Sequence, residues 1–218
     1  MRILPATALI GVLLIATASS GLEAPPPTYA STRRPPPAGV LSSLRALPDA
    51  FWPRLRPAWR PPFRPSSRDC RALFDAAAGR FPRDGRLDVA AGTFDGVHVG
   101  QFAAVGLAEY PGGLARHRFG ELRAALAGCT RADGGTPAAA DLLTAAEPPV
   151  EVPAGAGEAA ARVLTGRVGG YPYEMHVVVA GTGGTVLALV HGGIAPPDMS
   201  GTVELTRSLL REVGNLEP

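Results

Sequence analysis

The chain has 218 residues, of which 46% are hydrophobic, with 27 Gly, 23 Pro and a formal net charge of +2. This length gives room for one ordinary domain with appendages, and the hydrophobic fraction supports a packed core, which excludes a chain that is disordered throughout. All 21 basic residues are Arg, a bias that is typical of a GC-rich genome and indicates origin, not function.

The first 18 residues have the pattern of a secretory signal peptide. Arg2 gives a positive start, an apolar run follows, and Ala16-Thr17-Ala18 is a small-residue cleavage site. The apolar run ends before the ~20 residues that a membrane helix needs, so we favour cleavage over a retained anchor. No later segment could span a bilayer. We therefore expect a secreted or otherwise extracytoplasmic protein, free or associated with the cell wall, with no transmembrane span in the mature chain.

Proline and arginine dominate the segment after the signal peptide. We predict a Pro-rich linker over 19–39 and then one domain over 40–218, of which residues 40–66 are a Pro/Arg/aromatic arm. Proline at this density excludes helices and sheet ladders, so the linker should be extended. The arm also carries large apolar residues, and part of it should pack on the domain. Its candidate anion-binding side chains are Arg54, Arg56, Trp59, Arg60 and Arg64.

Local signals then predict two helices separated by a hairpin. A helix is expected from Ser67, which can cap it, to Gly79, and a second helix over 114–129. Between them, residues 87–110 form two apolar runs joined by Asp95-Gly96, the strongest short hairpin signal. Cys70 and Cys129 are the only cysteines and lie on the apolar faces of the two helices. An even number of cysteines in an exported chain predicts a disulfide between them.

The second half of the chain predicts more antiparallel sheet. Residues 142–146 and 159–167 are expected strands, although the Ala content of the second also allows a short helix. Residues 171–191 form a clear hairpin with a Gly-rich turn at 181–184, and 201–213 form a closing helix. Together these elements predict an α+β domain with an antiparallel sheet of about six strands covered by helices.

This order of elements resembles the PknH-like extracellular sensor domain of actinobacterial kinases and secreted proteins. The resemblance covers residues 40–218, and its matching stretches are 41–44, 47–51, 70–74, 108–111, 122–129 and 171–190. It implies an α/β/α sandwich of the PsbP-like type and an extracytoplasmic sensing or binding role without catalysis. Two features depart from the family. Its second disulfide has no cysteines here, and we expect no kinase or membrane span upstream of the domain.

Motifs of known catalytic chemistry are missing from the sequence. There is no nucleophile elbow, phosphate loop, zinc-type cysteine pair or metalloprotease helix motif. We therefore expect no enzymatic activity and no cofactor.

One polar group of residues follows from the register of the last hairpin. With Ala180 facing Thr185, Glu174 lies opposite His191, and alternation puts His176 on the same face. Two imidazoles and a carboxylate could bind a ligand or a divalent metal, or titrate as a pair. The simpler interpretation, which we favour, is an ordinary ion pair at the solvent-exposed end of a strand, worth under ~1 kcal/mol.

Charge is distributed unevenly along the chain. Residues 33–71 hold nine Arg and two acidic residues, whereas residues 72–218 hold 11 Arg and 16 acidic residues. The basic arm could bind an anionic cell-wall polymer or a membrane surface, or lie across its own acidic domain, which we favour. Export argues against nucleic acid as a partner. We expect a sensor-like domain for an unknown small ligand. The alternative is a wall or membrane-surface adhesion protein that acts through the arm.

Overall fold

The computed structural model describes residues 37–44, 47–134, 141–153 and 157–214. The predicted signal peptide and most of the predicted linker lie outside the described residues. No helix in these ranges is long and apolar enough to cross a membrane. The elements in chain order are α1 (Pro37–Ser43), β1 (Phe51–Arg56), α2 (Arg68–Ala77), β2 (Asp88–Gly96), β3 (Phe102–Glu109), α3 (Gly112–Gly128), β4 (Arg131–Asp133), β5 (Leu142–Thr144), β6 (Val150–Glu151), β7 (Glu158–Val168), β8 (Tyr171–Thr182), β9 (Thr185–Gly193) and α4 (Met199–Gly214).

The strands form one sheet in the order β1-β2-β3-β9-β8-β7-β5-β4, with β6 paired to β7. Every pairing is antiparallel. The predicted α+β class is therefore confirmed, but the expected strand number, about six, was too small, because the described residues form nine strands. The additional strands are β1, β4 and β6. Because β4 and β6 have only three and two residues, they are too short to show an alternating pattern.

Helices cover both faces of the sheet. On the first face, α2 and α3 pack on residues such as Ala104, Val177 and Val190. On the second face, α1 and α4 pack on residues such as Val178 and Leu189. Neighbouring residues of one strand therefore belong to different cores, which explains why β8 and β9 are almost continuously hydrophobic. The α/β/α layering is as expected, and the likeness to PsbP stays a prediction.

Both hairpin turns differ from the prediction. β2 continues through Asp95 and Gly96, and the turn comprises residues 97–101, in which Gly100 rather than Gly96 has a positive φ, of 75°. In the last hairpin, Thr182 pairs with Thr185, so the turn is Gly183-Gly184. This register differs from the predicted one by two residues. Because side chains alternate with a period of two, every side chain stays on its predicted face.

The arm, residues 40–66, takes part in the fold. Its side chains Leu41 and Phe51 belong to the core of the second face, and Trp59 and Phe63 to that of the first. The expectation that proline excludes helix and strand throughout this region was wrong. Pro37 begins α1, where a missing N–H is tolerated, and Pro53 lies in an edge strand with an irregular register.

Candidate functional site

The predicted disulfide joins α2 to the end of α3. Cys70 and Cys129 are bonded, with their Cα atoms 4.8 Å apart, and both residues are fully buried. Ser67 caps α2 as predicted, because its hydroxyl accepts a hydrogen bond from the Cys70 N–H at 3.4 Å. The disulfide therefore fixes the spacing of the two helices on the first face of the sheet.

A groove of about 800 Å³ runs between α2 and α3. Its floor is formed by small and apolar side chains of both helices, which include Ala72, Ala76, Leu122 and Ala125, and Phe81 and Tyr110 line it as well. Sequence reasoning missed this groove. Alanine is a good helix former wherever it occurs in a sequence. The alanines of α2 and α3 lie far apart in the chain, so the sequence does not show that these two helix faces leave a space between them.

Paired charges stand along this groove. Arg80 Nη2 lies 2.6 Å from Asp75 Oδ1, and Arg118 Nη1 lies 2.8 Å from Glu121 Oε2. The hydrogen bond to Glu121 raises the pKa of Arg118, which therefore stays charged. Arg118 Nε is buried and has no hydrogen-bond partner among the described residues. The groove thus combines an apolar floor with two ion-paired arginines at its sides.

Tyr110 also lines the groove. Its hydroxyl donates a hydrogen bond to the Pro82 carbonyl at 2.9 Å, and burial raises its pKa. The phenol is therefore neutral at physiological pH. Its ring adds to the apolar surface of the groove.

The predicted polar face lies on the other side of the sheet and is buried. His176 pairs with His191 across β8 and β9, whereas Glu174 pairs with Gly193. The two histidines are only 2% and 1% exposed, and Glu174 is half-buried. The favoured interpretation, an ion pair between Glu174 and His191 at the solvent, was therefore wrong. The strands extend further than expected, and the first turn of α4 covers them.

A threonine from α4 joins the two imidazoles. Thr202 Oγ1 lies 2.7 Å from His176 Nδ1 and 2.8 Å from His191 Nδ1, and 3.1 Å from the Asp198 carbonyl oxygen. His176 Nε2 lies 3.1 Å from Glu174 Oε1. Sequence reasoning missed Thr202. A threonine in a predicted helix gives no indication that it will pack against histidines of the preceding strands.

The Thr202 hydroxyl has a single proton, which it donates to the Asp198 carbonyl, so its oxygen is an acceptor towards the two imidazole Nδ1 atoms. His176 Nε2 faces the carboxylate of Glu174, which accepts. His191 Nδ1–H then donates to Thr202. The remaining nitrogen, His191 Nε2, is buried and has no hydrogen-bond partner in the described ranges. A proton on that nitrogen would have no acceptor there, whereas a proton on His176 is balanced by the carboxylate of Glu174.

Both imidazoles resist protonation. Burial, with a smaller contribution from His176, lowers the pKa of His191 to about 4. Burial also lowers the pKa of His176, and the hydrogen bond to Glu174 opposes this effect. Within the described part of the chain, no group of three or more His, Cys, Asp and Glu residues could hold a metal ion. The pair is therefore built as a neutral link between the sheet and α4.

The candidate anion-binding residues of the arm are separated by the fold. Trp59 is buried, and its ring lies 5.4 Å from that of Phe74 and 5.6 Å from that of Phe102. The four arginines are exposed, at positions 54, 56, 60 and 64. Arg56 Nε forms an ion pair with Asp95 Oδ2 at 2.6 Å. The aromatic part of this predicted site is thus a core anchor, and its charged part faces solvent.

The fold is similar to that of the extracellular domain of PknH from Mycobacterium tuberculosis. That similarity has a TM-score of 0.51 at 11% sequence identity and covers 67% of this chain and 75% of that chain. The structure of the Rv0999 ortholog from Mycobacterium smegmatis matches with a TM-score of 0.41 at 12% identity, over 84% of this chain and 99% of that one. No family model and no curated protein matches the chain. The chain has a PknH-like sensor-domain fold.

Proposed function

We propose that this chain, which has the fold of a kinase extracellular sensor domain, acts outside the cytoplasm as a non-catalytic domain that binds a small ligand. The ligand site is the groove between α2 and α3. One observation carries the proposal. The groove has a volume of about 800 Å³, within the range of about 300–1,000 Å³ that small-molecule sites occupy.

The lining of the groove supports a ligand with an apolar body and a polar group. Alanine and leucine side chains form the floor, and the ion-paired side chains of Arg80 and Arg118 stand at its sides. Because the disulfide fixes α2 against α3, the groove is formed before the ligand arrives, and little binding energy is spent on ordering it.

A fragment screen on the purified chain tests this site. The probes are the small molecules of the library, and two-dimensional NMR of the labelled protein locates those that bind. We expect the bound fragments to shift amide signals of residues that line the groove, Ala72, Ala76 and Tyr110 among them. Fragment binding that maps to another surface, or no saturable binding at all, would refute the proposed site.

Two substitutions on one helix provide the control. Ala124 lines the groove, whereas Ala127, one turn later on α3, does not, and both are exposed. Ala124→Trp should fill the groove and abolish binding, while Ala127→Trp should bind as the unaltered chain does. Equal loss in both variants would point to a general effect on the helix and would contradict the assignment of the groove.

Export is a separate part of the proposal. Cleavage after Ala18 in an actinobacterial host should give a mature chain that begins at Ser19, which N-terminal sequencing of the secreted protein would identify. Recovery of the intact chain from the cytoplasm would contradict it.

A further inference from the structure

Exposed apolar side chains are concentrated at one end of the sheet. Eight large hydrophobic residues of the described chain are exposed. Five of them lie where the β2–β3 turn, the β7–β8 turn, the start of β1 and the end of β9 come together: Trp52, Val97, Val99, Tyr171 and Ile194. We call Trp52, Val97, Val99 and Ile194 the apolar tip. At the opposite end stands Leu87, just before β2.

The apolar tip is held in a fixed shape. Val97 N–H donates to the Ala50 carbonyl at 3.0 Å, and Gly100 turns the chain with a positive φ and lies against Ile194. Trp52, Val97 and Val99 line one shallow concavity. Val99 is 94% exposed and Trp52 58% exposed. These side chains therefore point into solvent from an ordered turn and are not collapsed on the domain.

Positive charge accompanies the apolar tip. Arg54, Arg60 and Arg64 are exposed and form no ion pair with any described residue, whereas Arg56 is paired with Asp95. Arg60 follows Trp59, whose ring stacks on Phe102, and Phe102 lines the same concavity as Trp52, Val97 and Val99. From β1 to the start of α2, the chain carries arginines and no acidic residue before Asp69.

We propose that the apolar tip inserts into the interface of an anionic phospholipid bilayer, with Arg54 and Arg60 on the lipid phosphates. Tryptophan and tyrosine favour the bilayer interface, and guanidinium groups near it are attracted by anionic headgroups. The tip is small. Protein interfaces bury roughly 800 Å² on each partner, which a single turn does not offer, whereas a few inserted side chains contribute to membrane binding.

Vesicle sedimentation of the mature chain, residues 19–218, tests the proposal. We expect the chain to sediment with vesicles that contain equal parts of phosphatidylglycerol and phosphatidylcholine, and much less with pure phosphatidylcholine. The double substitution Val97→Asp/Val99→Asp should lower the apparent affinity at least about tenfold, because two charges would have to enter the interface. Deletion of the arm is not a suitable test, because its side chains form part of both cores.

The control is Leu87→Asp, which replaces an exposed hydrophobic residue by aspartate at the opposite end of the sheet. It should bind vesicles as the unaltered chain does, and circular dichroism melting should show both variants folded. In a Trp59→Phe background, Trp52 is the remaining tryptophan, and its emission should shift to shorter wavelength on binding.

Three outcomes would overturn the proposal: no sedimentation with anionic vesicles, an equal loss in Leu87→Asp, or an unshifted Trp52 emission in the bound protein. Sedimentation with isolated cell-wall polymer but not with vesicles would assign the arginines to that polymer instead. Because the groove between α2 and α3 lies away from the apolar tip, Val97→Asp/Val99→Asp should leave fragment binding unchanged.

Discussion

On the first face of the sheet, a covalent bond joins the two helices and a buried guanidinium holds one of them to the strands, whereas the second face is joined to α4 through neutral imidazoles. On the first face, the disulfide ties α2 to α3, and Arg162 Nη1 donates to the carbonyls of Ala127 and Cys129 at the end of α3. On the second face, α4 meets the strands at the two histidines through Thr202. The first face should therefore respond to reductant, and the second to acid.

Removal of the disulfide is expected to have the largest effect. Cys70→Ala/Cys129→Ala opens a loop closed over a sequence separation of 59 residues. The unfolded chain gains entropy, and the free energy of unfolding should fall by about 4 kcal/mol. Urea denaturation at neutral pH measures it. The variant should retain the pH dependence of the unaltered chain. A parallel loss of that dependence would mean that the two faces are not independent.

Acid should weaken the second face. The pKa values of His176 and His191 lie below 6.5 in the fold, so the unfolded chain binds more protons than the folded one as the pH falls. The stability that the neutral histidines contribute is fully present above pH 6.5 and is lost as the pH falls towards the folded pKa of His191, about 4. For His191 alone the full loss is about 3 kcal/mol. Urea denaturation at a series of pH values measures it.

His191→Leu separates this histidine from the carboxylates, which also titrate in acid. The variant should be less dependent on pH between 6.5 and 4.5 than the unaltered chain, whatever its stability at neutral pH. Unchanged pH dependence would show that the imidazole is not neutral in the fold.

The next largest effect on stability is expected at Arg162. Its side chain is buried, burial lowers its pKa, and it bonds two carbonyls at the end of α3. Arg162→Met should lower the free energy of unfolding by about 2 kcal/mol, because both carbonyls are left without a donor. Arg167→Met, on the exposed part of the same strand, is the matched control and should change little. Similar losses in both would contradict a specific role for these two bonds.

The smallest effect is expected at the helix cap. Ser67→Ala removes the acceptor for the Cys70 N–H and should destabilise the chain by about 1 kcal/mol. Ser67→Asp, which keeps an acceptor, should retain most of the stability that Ser67→Ala loses. Amide exchange of Cys70 should be faster in Ser67→Ala alone, and equal exchange in all three proteins would argue against the cap.

The sequence predicted those parts of the fold that have local signals. Ser67 identified the start of α2, the apolar face of residues 114–129 identified α3, and the cysteines on those faces identified the disulfide. Strand β1 was not predictable, because an edge strand with Pro53 has the composition of a linker. The predicted turn at Asp95-Gly96 was wrong because of the same strand. β1 pairs with Gly96 and extends β2 past the best local turn signal.

The candidate site was predicted only in part. Alternation placed Glu174, His176 and His191 on one face even though the register was wrong by two residues. Their burial could not be predicted, because the covering residue, Thr202, comes from α4 and depends on long-range packing. The groove between α2 and α3 depends equally on packing, since its floor is made of residues that are ordinary helix formers in sequence.

The irregular first strand also bears on how copies of this protein meet. An open sheet has two edges whose free N–H and C=O groups can pair with a strand of another molecule. Here β1 carries Pro53, which lacks an N–H, an interrupted register and exposed arginines, and the other edge, β4, is three residues long. Strand β6, which pairs with β7 outside this order, has only two residues. None of these edge strands offers a continuous row of hydrogen-bonding groups, so the wide hydrophobic sheet is guarded against growth into fibrils.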